Sequence, residues 1–150
     1  MKKSGPYSIV CTLALALTSS LATAQSGTAK APGTGEQVYK QVCIACHSTG
    51  VASAPKLGDE NAWAPLIEEG QHILTAHAWV GVRAMPAQGG APDLTLSDFA
   101  DAVAWMASAS GGDWKTPDAE MMERIRHEAA ERLEKEIKEK KALLKKLEHD

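Results

Sequence analysis

Apolar positions recur at helical spacing along most of the chain, and no stretch of useful length alternates as a strand would. Tyr39, Val42, Cys43 and Cys46 fall at i, i+3, i+4 and i+7. They mark one face of a helix that starts near Thr34 or Gly35 and ends at Ser48-Thr49-Gly50. Ala54-Pro55-Lys56-Leu57-Gly58 reads as loop. A short helix spans Asn61 to Glu69, with Trp63 and Leu66-Ile67 turned inward. After Gly70, the stripe Ile73, Leu74, His77 and Ala78 predicts a helix closed by Gly81. Pro and Gly crowd Met85 to Pro92, so that segment is irregular. Thr95 or Ser97 caps the next helix, whose inner face is Phe99, Val103 and Met106. Asp98, three residues after Thr95, fits a capping box. Ser110-Gly111-Gly112 closes this element. The pattern predicts an all-α chain.

The two ends differ from this middle. Lys2 and Lys3 precede an apolar run from Ile9 to Leu17, and Ala22-Thr23-Ala24 follows it. That order fits an export signal over residues 1–24, cleaved after Ala24, and predicts a periplasmic protein. Cys11 lies inside the apolar run behind Val10, where an acylated cysteine does not belong, and reads as a passive apolar residue. Residues 25–33 are small and polar and read as a flexible leader. No apolar run reaches the roughly 18 residues of a membrane span, so no transmembrane segment is expected in the mature chain. The core domain then covers residues 34–114, and a charged helical tail covers 115–150. Pro117 can start the tail helix. Glu120–Arg124, Glu128–Arg132, Glu131–Lys135, Glu134–Lys138 and Glu136–Lys140 are i,i+4 pairs in the favourable order.

Charge separates the two parts. The whole chain is −3. Residues 25–114 carry 4 basic and 9 acidic side chains, and residues 115–150 carry 10 of each. This balance argues against nucleic-acid binding and for partners with basic docking faces. In the tail, Ala130, Leu133, Ile137, Leu144 and Leu147 fit heptad a and d positions, with Arg126 and Lys140 on the same seam. That is about three heptads, near the minimum for a coiled coil. One reading is dimerisation or partner docking through residues 118–149. The other is a solvated single helix.

Cys43-Ile44-Ala45-Cys46-His47 carries the chemistry. C-x-x-C-H is the attachment pattern of a c-type haem. Two thiols three positions apart lie on one helical turn and can each form a thioether to a vinyl-derived carbon. The next residue, His47, is then held under the iron. C-x-x-C also occurs in redox dithiols and in zinc sites. A thioredoxin-like dithiol wants βαβ surroundings, and none are visible. A structural zinc site wants four ligands, and the remaining histidines stand at no recognisable spacing. One covalent haem c through Cys43 and Cys46 is the expected cofactor.

With these residues the sequence resembles a class I monohaem cytochrome c of the cytochrome c5 group. The matching pieces are Gly35 and Tyr39 before the Cys43–His47 motif, Ala54-Pro55-Lys56-Leu57-Gly58, Trp63, Met85-Pro86-Ala87-Gln88-Gly89-Gly90, and Leu96-Ser97-Asp98 opening a last helix. The resemblance implies a small helical fold around the haem. It implies that the first and last helices cross, with Gly35 allowing close approach beside Tyr39, Val103 and Trp105. It also implies that the Pro55 carbonyl accepts the proximal imidazole N–H and that Met85 is the distal ligand. Two features depart from the family. Ala91-Pro92-Asp93-Leu94 lacks the extra cysteine pair of some members, and the family supplies no tail.

Alternatives remain for several side chains. Met85 sits on a Pro/Gly-rich loop that can carry a thioether over the far haem face, but a loop Met can also merely pack. His77 is the rival ligand, and a His on such a stripe is more often a core residue. Trp63, Trp79 and Trp105 read as core around a flat cofactor; Trp63 could also bond a propionate. Arg83 either pairs with a propionate or is exposed. Trp114 packs the tail onto the domain. Met121 and Met122 lie beyond the haem domain. With His47 and Met85 both bound, no site is left for O₂ or peroxide, and the expected activity is one-electron transfer without catalysis. A subunit fixed in a larger oxidoreductase by its tail is one alternative. A haem-based sensor or gas-binding protein is another.

Overall fold

The computed structural model describes residues 34–149, so the export signal and the leader lie outside the described residues. All regular elements among the described residues are helical. Thr34 caps α1 (Gly35–Val38) reciprocally: its hydroxyl accepts from Gln37 N–H while the Gln37 side chain accepts from its own N–H. The expected continuous first helix instead widens into a π segment over Tyr39–Cys43, where Ile44 N–H reaches back to the Tyr39 carbonyl. α2 (Ile44–His47) then ends in a turn at Gly50.

α3 (Glu60–Glu68) is capped by Asp59 and accommodates Pro65. α4 (Gln71–Val80) runs from Gly70 to Gly81. A 3-10 turn at Ala87–Gly90 precedes α5 (Leu96–Ser108). Thr95 caps α5 by accepting from Asp98 N–H, but Asp98 answers through the Thr95 hydroxyl rather than its backbone. α6 (Ala119–Leu147) starts after Asp118, which accepts from Met121 N–H. Pro117 thus sits outside the helix, just before its cap.

Two packings organise the molecule. α1 crosses α5, and a Cβ at Gly35 would lie 2.2 Å from the Asp101 carbonyl oxygen. Only glycine permits that approach, and Tyr39 stacks on Trp105 beside it with ring centroids 5.1 Å apart. The second packing changes the view of the tail. α6 lies along α4, and the described residues 34–149 belong to one compact unit. Ile125 and Ala129 are buried, with Met121 and Met122 half-buried on the same side. The first half of the tail helix therefore belongs to the domain. Trp114 packs on the core, and its carbonyl accepts from the Ser108 hydroxyl at the join. The core joins Tyr39, Trp63, Leu74, Ala78, Phe99, Val103 and Met106, with Trp79 edge-on to Phe99.

Candidate functional site

His47 closes α2 and is 8 % exposed. Its Nδ1 lies 2.8 Å from the Pro55 carbonyl oxygen. A carbonyl can only accept, so Nδ1 carries the proton and Nε2 keeps its lone pair for a metal. The same loop grips this region at successive residues. The Lys56 carbonyl accepts the Trp63 indole N–H at 2.8 Å. Leu57 N–H donates to the His47 carbonyl at 2.8 Å. Gly58 N–H donates to the buried Ser110 hydroxyl at 2.9 Å. Trp63 is therefore a wall of the site, 6.3 Å from the His47 ring between centroids. Its N–H, a candidate propionate donor on sequence, is already engaged.

Cys43 ends the π segment and Cys46 stands three residues on; both are half-buried and unpaired. Burial pushes the Cys43 thiol up to about 11. A redox dithiol attacks through a thiol of lowered value, so Cys43 is not suited to be that nucleophile. Among the described residues no three His, Cys, Asp or Glu side chains gather to hold a metal, which leaves a structural zinc reading without its ligands.

Met85 reaches the core from the loop after α4. Val82 and Met85 exchange both backbone hydrogen bonds, at 3.1 and 2.9 Å, around a turn with Arg83 at φ 55°. The half-buried Met85 packs against the core together with Cys43, Leu57, Leu66 and Ile67. Gly81, at φ +101°, lets this loop leave α4; a Cβ there would lie 2.9 Å from Ala87 N. Arg83 is exposed and lines a groove of about 400 Å³ with Pro55, Lys56, Asp59 and Glu69. Tyr39 is buried at the α1–α5 crossing.

His77 turns elsewhere. Its Nδ1 is 3.2 Å from Glu69 and its Nε2 3.8 Å from Glu128 on α6. Burial and the Arg132 charge hold it below the ordinary imidazole value despite the two carboxylates. The ring is thus neutral near pH 7 and joins α4 to α6. Sequence reasoning did not single out Ser110, which it took only as a helix end, or Thr75, whose hydroxyl is fully buried without a partner.

These residues fit a c-type haem: two unpaired thiols three residues apart, an imidazole with one nitrogen free, and an apolar wall. When bound, such a group supplies a single iron-centred electron, gained and lost.

The family profile described as Cytochrome C oxidase, cbb3-type, subunit III matches residues 30–106. Cytochrome c-555 of Chlorobaculum thiosulfatiphilum is 41 % identical over 80 residues, covering 51 % of this chain and 93 % of that one. Cytochrome c5 of Azotobacter vinelandii is 35 % identical over 75 residues, covering 49 % and 90 %. A solved chain from "Crystal structure of electron transfer complex of nitrite reductase with cytochrome c" is 43 % identical, covering 51 % and 93 %, with a TM-score of 0.49. The chain belongs to the class I monohaem cytochromes c. Its cofactor is haem c, and Cys43 and Cys46 stand at the attachment spacing. Its relatives are small cytochromes c, a kind that carries electrons. The matched family segment ends at residue 106, before α6 begins.

Proposed function

We propose that this chain is a periplasmic one-electron carrier whose haem iron is held between His47 Nε2 and the Met85 sulfur. The observation that carries the reading is the 2.8 Å bond from His47 Nδ1 to Pro55, at the end of the Cys43–His47 motif. That bond fixes the tautomer and orients the ring, leaving Nε2 as the nitrogen for a metal. Met85 supports the same reading, because its backbone is tied into a turn and its side chain packs on the core shared with Cys43. With His47 and Met85 both as ligands, the iron would have no place for a small molecule, which suits a shuttle. The export pattern in residues 1–24 supports a periplasmic location, with cleavage after Ala24. The acidic balance of residues 25–114 favours redox partners with basic docking faces.

The test is to mature the protein in the periplasm and record its reduced spectrum with and without CO. Low-spin bands indifferent to CO, with electron exchange that slows as salt is raised, are expected. A high-spin or CO-reactive form would replace the carrier with a sensor or gas-binding protein.

A further inference from the structure

α6 has two faces with different fates. Met122, Ile125, Ala129 and Arg132 lie at spacings of three and four and turn toward α4. Ala130, Leu133, Ile137, Lys140, Leu144 and Leu147 follow the same spacings in a register offset by one residue (129 to 130, 132 to 133), a rotation of about 100°. Docking on α4 therefore leaves this second stripe bare. Leu133 is 44 % exposed, Ile137 50 %, Leu144 57 % and Leu147 68 %. The stripe is a heptad seam, with a positions at 130, 137 and 144 and d positions at 133, 140 and 147. From Ala130 to Leu147 it is about 26 Å long.

We propose that this seam pairs with the same seam of a second copy, as an antiparallel two-helix coiled coil centred between Lys138 and Glu139. Charge complementarity favours a second copy set antiparallel: residues 130–138 carry 3 acidic and 3 basic side chains and residues 139–147 carry 1 and 4, so the glutamates of each copy face the lysine-rich half of the other. Orientation follows from the order of residues. A parallel, in-register pair would set Lys140 against Lys140 in the seam and leave Ala130 facing Ala130. The antiparallel pair sets Ala130 against Leu147 of the second copy, Leu133 against Leu144, and Ile137 against Lys140. Small thus meets large, and the two lysines separate. On one flank Glu134 comes beside Lys141 of the second copy, and on the other Glu136 comes beside Lys140. Both contacts occur twice by symmetry. The helix dipoles also oppose each other favourably. The pairing uses no residue of the Cys43–His47 region and does not use Met85, so it stands or fails independently of the electron-transfer reading.

The experiment is sedimentation equilibrium of the haem-loaded mature protein across micromolar concentrations, followed at the haem absorbance. A reversible monomer–dimer equilibrium is expected. Ile137→Glu and Leu144→Glu should each weaken it about tenfold or more, by placing a charge in the apolar seam, with no change in haem absorbance. Orientation is read by mild oxidation of cysteine variants. An equimolar mixture of Leu133→Cys and Leu144→Cys should give a cross-linked heterodimer. Leu133→Cys alone should not cross-link, because its two copies would lie about 16 Å apart along the axis. A monomer at every concentration, or association only with a different protein, overturns the proposal. Efficient cross-linking of Leu133→Cys alone overturns the antiparallel arrangement.

Discussion

The loops on the two sides of the site are built differently. The proximal loop, Ala54–Gly58, is fixed by contacts with distant residues: Pro55 to the His47 ring, Lys56 to Trp63, Leu57 to the His47 backbone and Gly58 to Ser110. The distal loop, Val82–Pro92, is held mainly by its own turns. Val82 bonds to Met85, Pro86 to Gly89, and Gln88 to Ala91. Its backbone takes left-handed conformations at Arg83, Gln88, Gly89 and Gly90. The contrast teaches that the imidazole is held by a hydrogen-bond frame, while the Met85 thioether is placed by loop shape and packing. Met85, the proposed second ligand, stands on the loop with fewer contacts to other segments.

The largest expected effect comes from removing the distal donor. Met85→Ala should convert the low-spin haem to a CO-binding form while covalent attachment survives, as read by optical spectra and mass. Gly81→Ala comes next. It puts a Cβ against Ala87 N at a backbone angle that L-residues avoid, at a cost of about 2–4 kcal/mol. Denaturant unfolding should show that loss, with weakened Met85 ligation as its companion. Ser110→Ala tests the proximal frame by leaving the Gly58 N–H without its acceptor, for about 1–3 kcal/mol. Here the expected change is in stability with ligation unaltered. A Ser110→Ala variant that lost the distal ligand instead would break the distinction between the loops.

The smallest effect is pH-dependent and enters from the distal side. His77 lies one turn before Gly81 and bonds Glu69 while facing Glu128 and Arg132. Burial lowers its folded-state value below the ordinary imidazole value, so the unfolded chain takes the proton first as pH falls. Stability from this group is therefore full above the unfolded imidazole value and is lost on acidification through the lowered folded one. Melting temperatures measured across mildly acidic pH should fall in the parent and fall less in His77→Gln.

Much of this architecture was legible because the motifs sit at strong helical signals. Thr34, Gly81 and Thr95 bound their helices as their chemistry suggests, and the apolar stripes of α3, α4 and α5 face the core. The π segment was not legible, because Tyr39, Val42, Cys43 and Cys46 share a face in either helix type. The docking of α6 along α4 was legible only at Trp114, for a different reason. The longest apolar series in the tail is the exposed seam, while the buried one is short and interrupted by Arg132. Met122, Ile125 and Ala129 carried the signal, but the dense charge around them read as a solvated helix. At the site, residue types placed Cys43, Cys46 and His47. The Trp63 N–H and Ser110 were not readable, since their partners, the Lys56 carbonyl and the Gly58 N–H, are backbone atoms with no sequence signature.

The most direct test of the central claim is proton NMR of the reduced, haem-loaded protein. A methyl signal shifted far upfield by the haem ring current, present in the parent and absent in Met85→Ala, is the predicted result. A parent spectrum without that signal, or one that keeps it in Met85→Ala, would contradict His47–Met85 ligation and with it the carrier account.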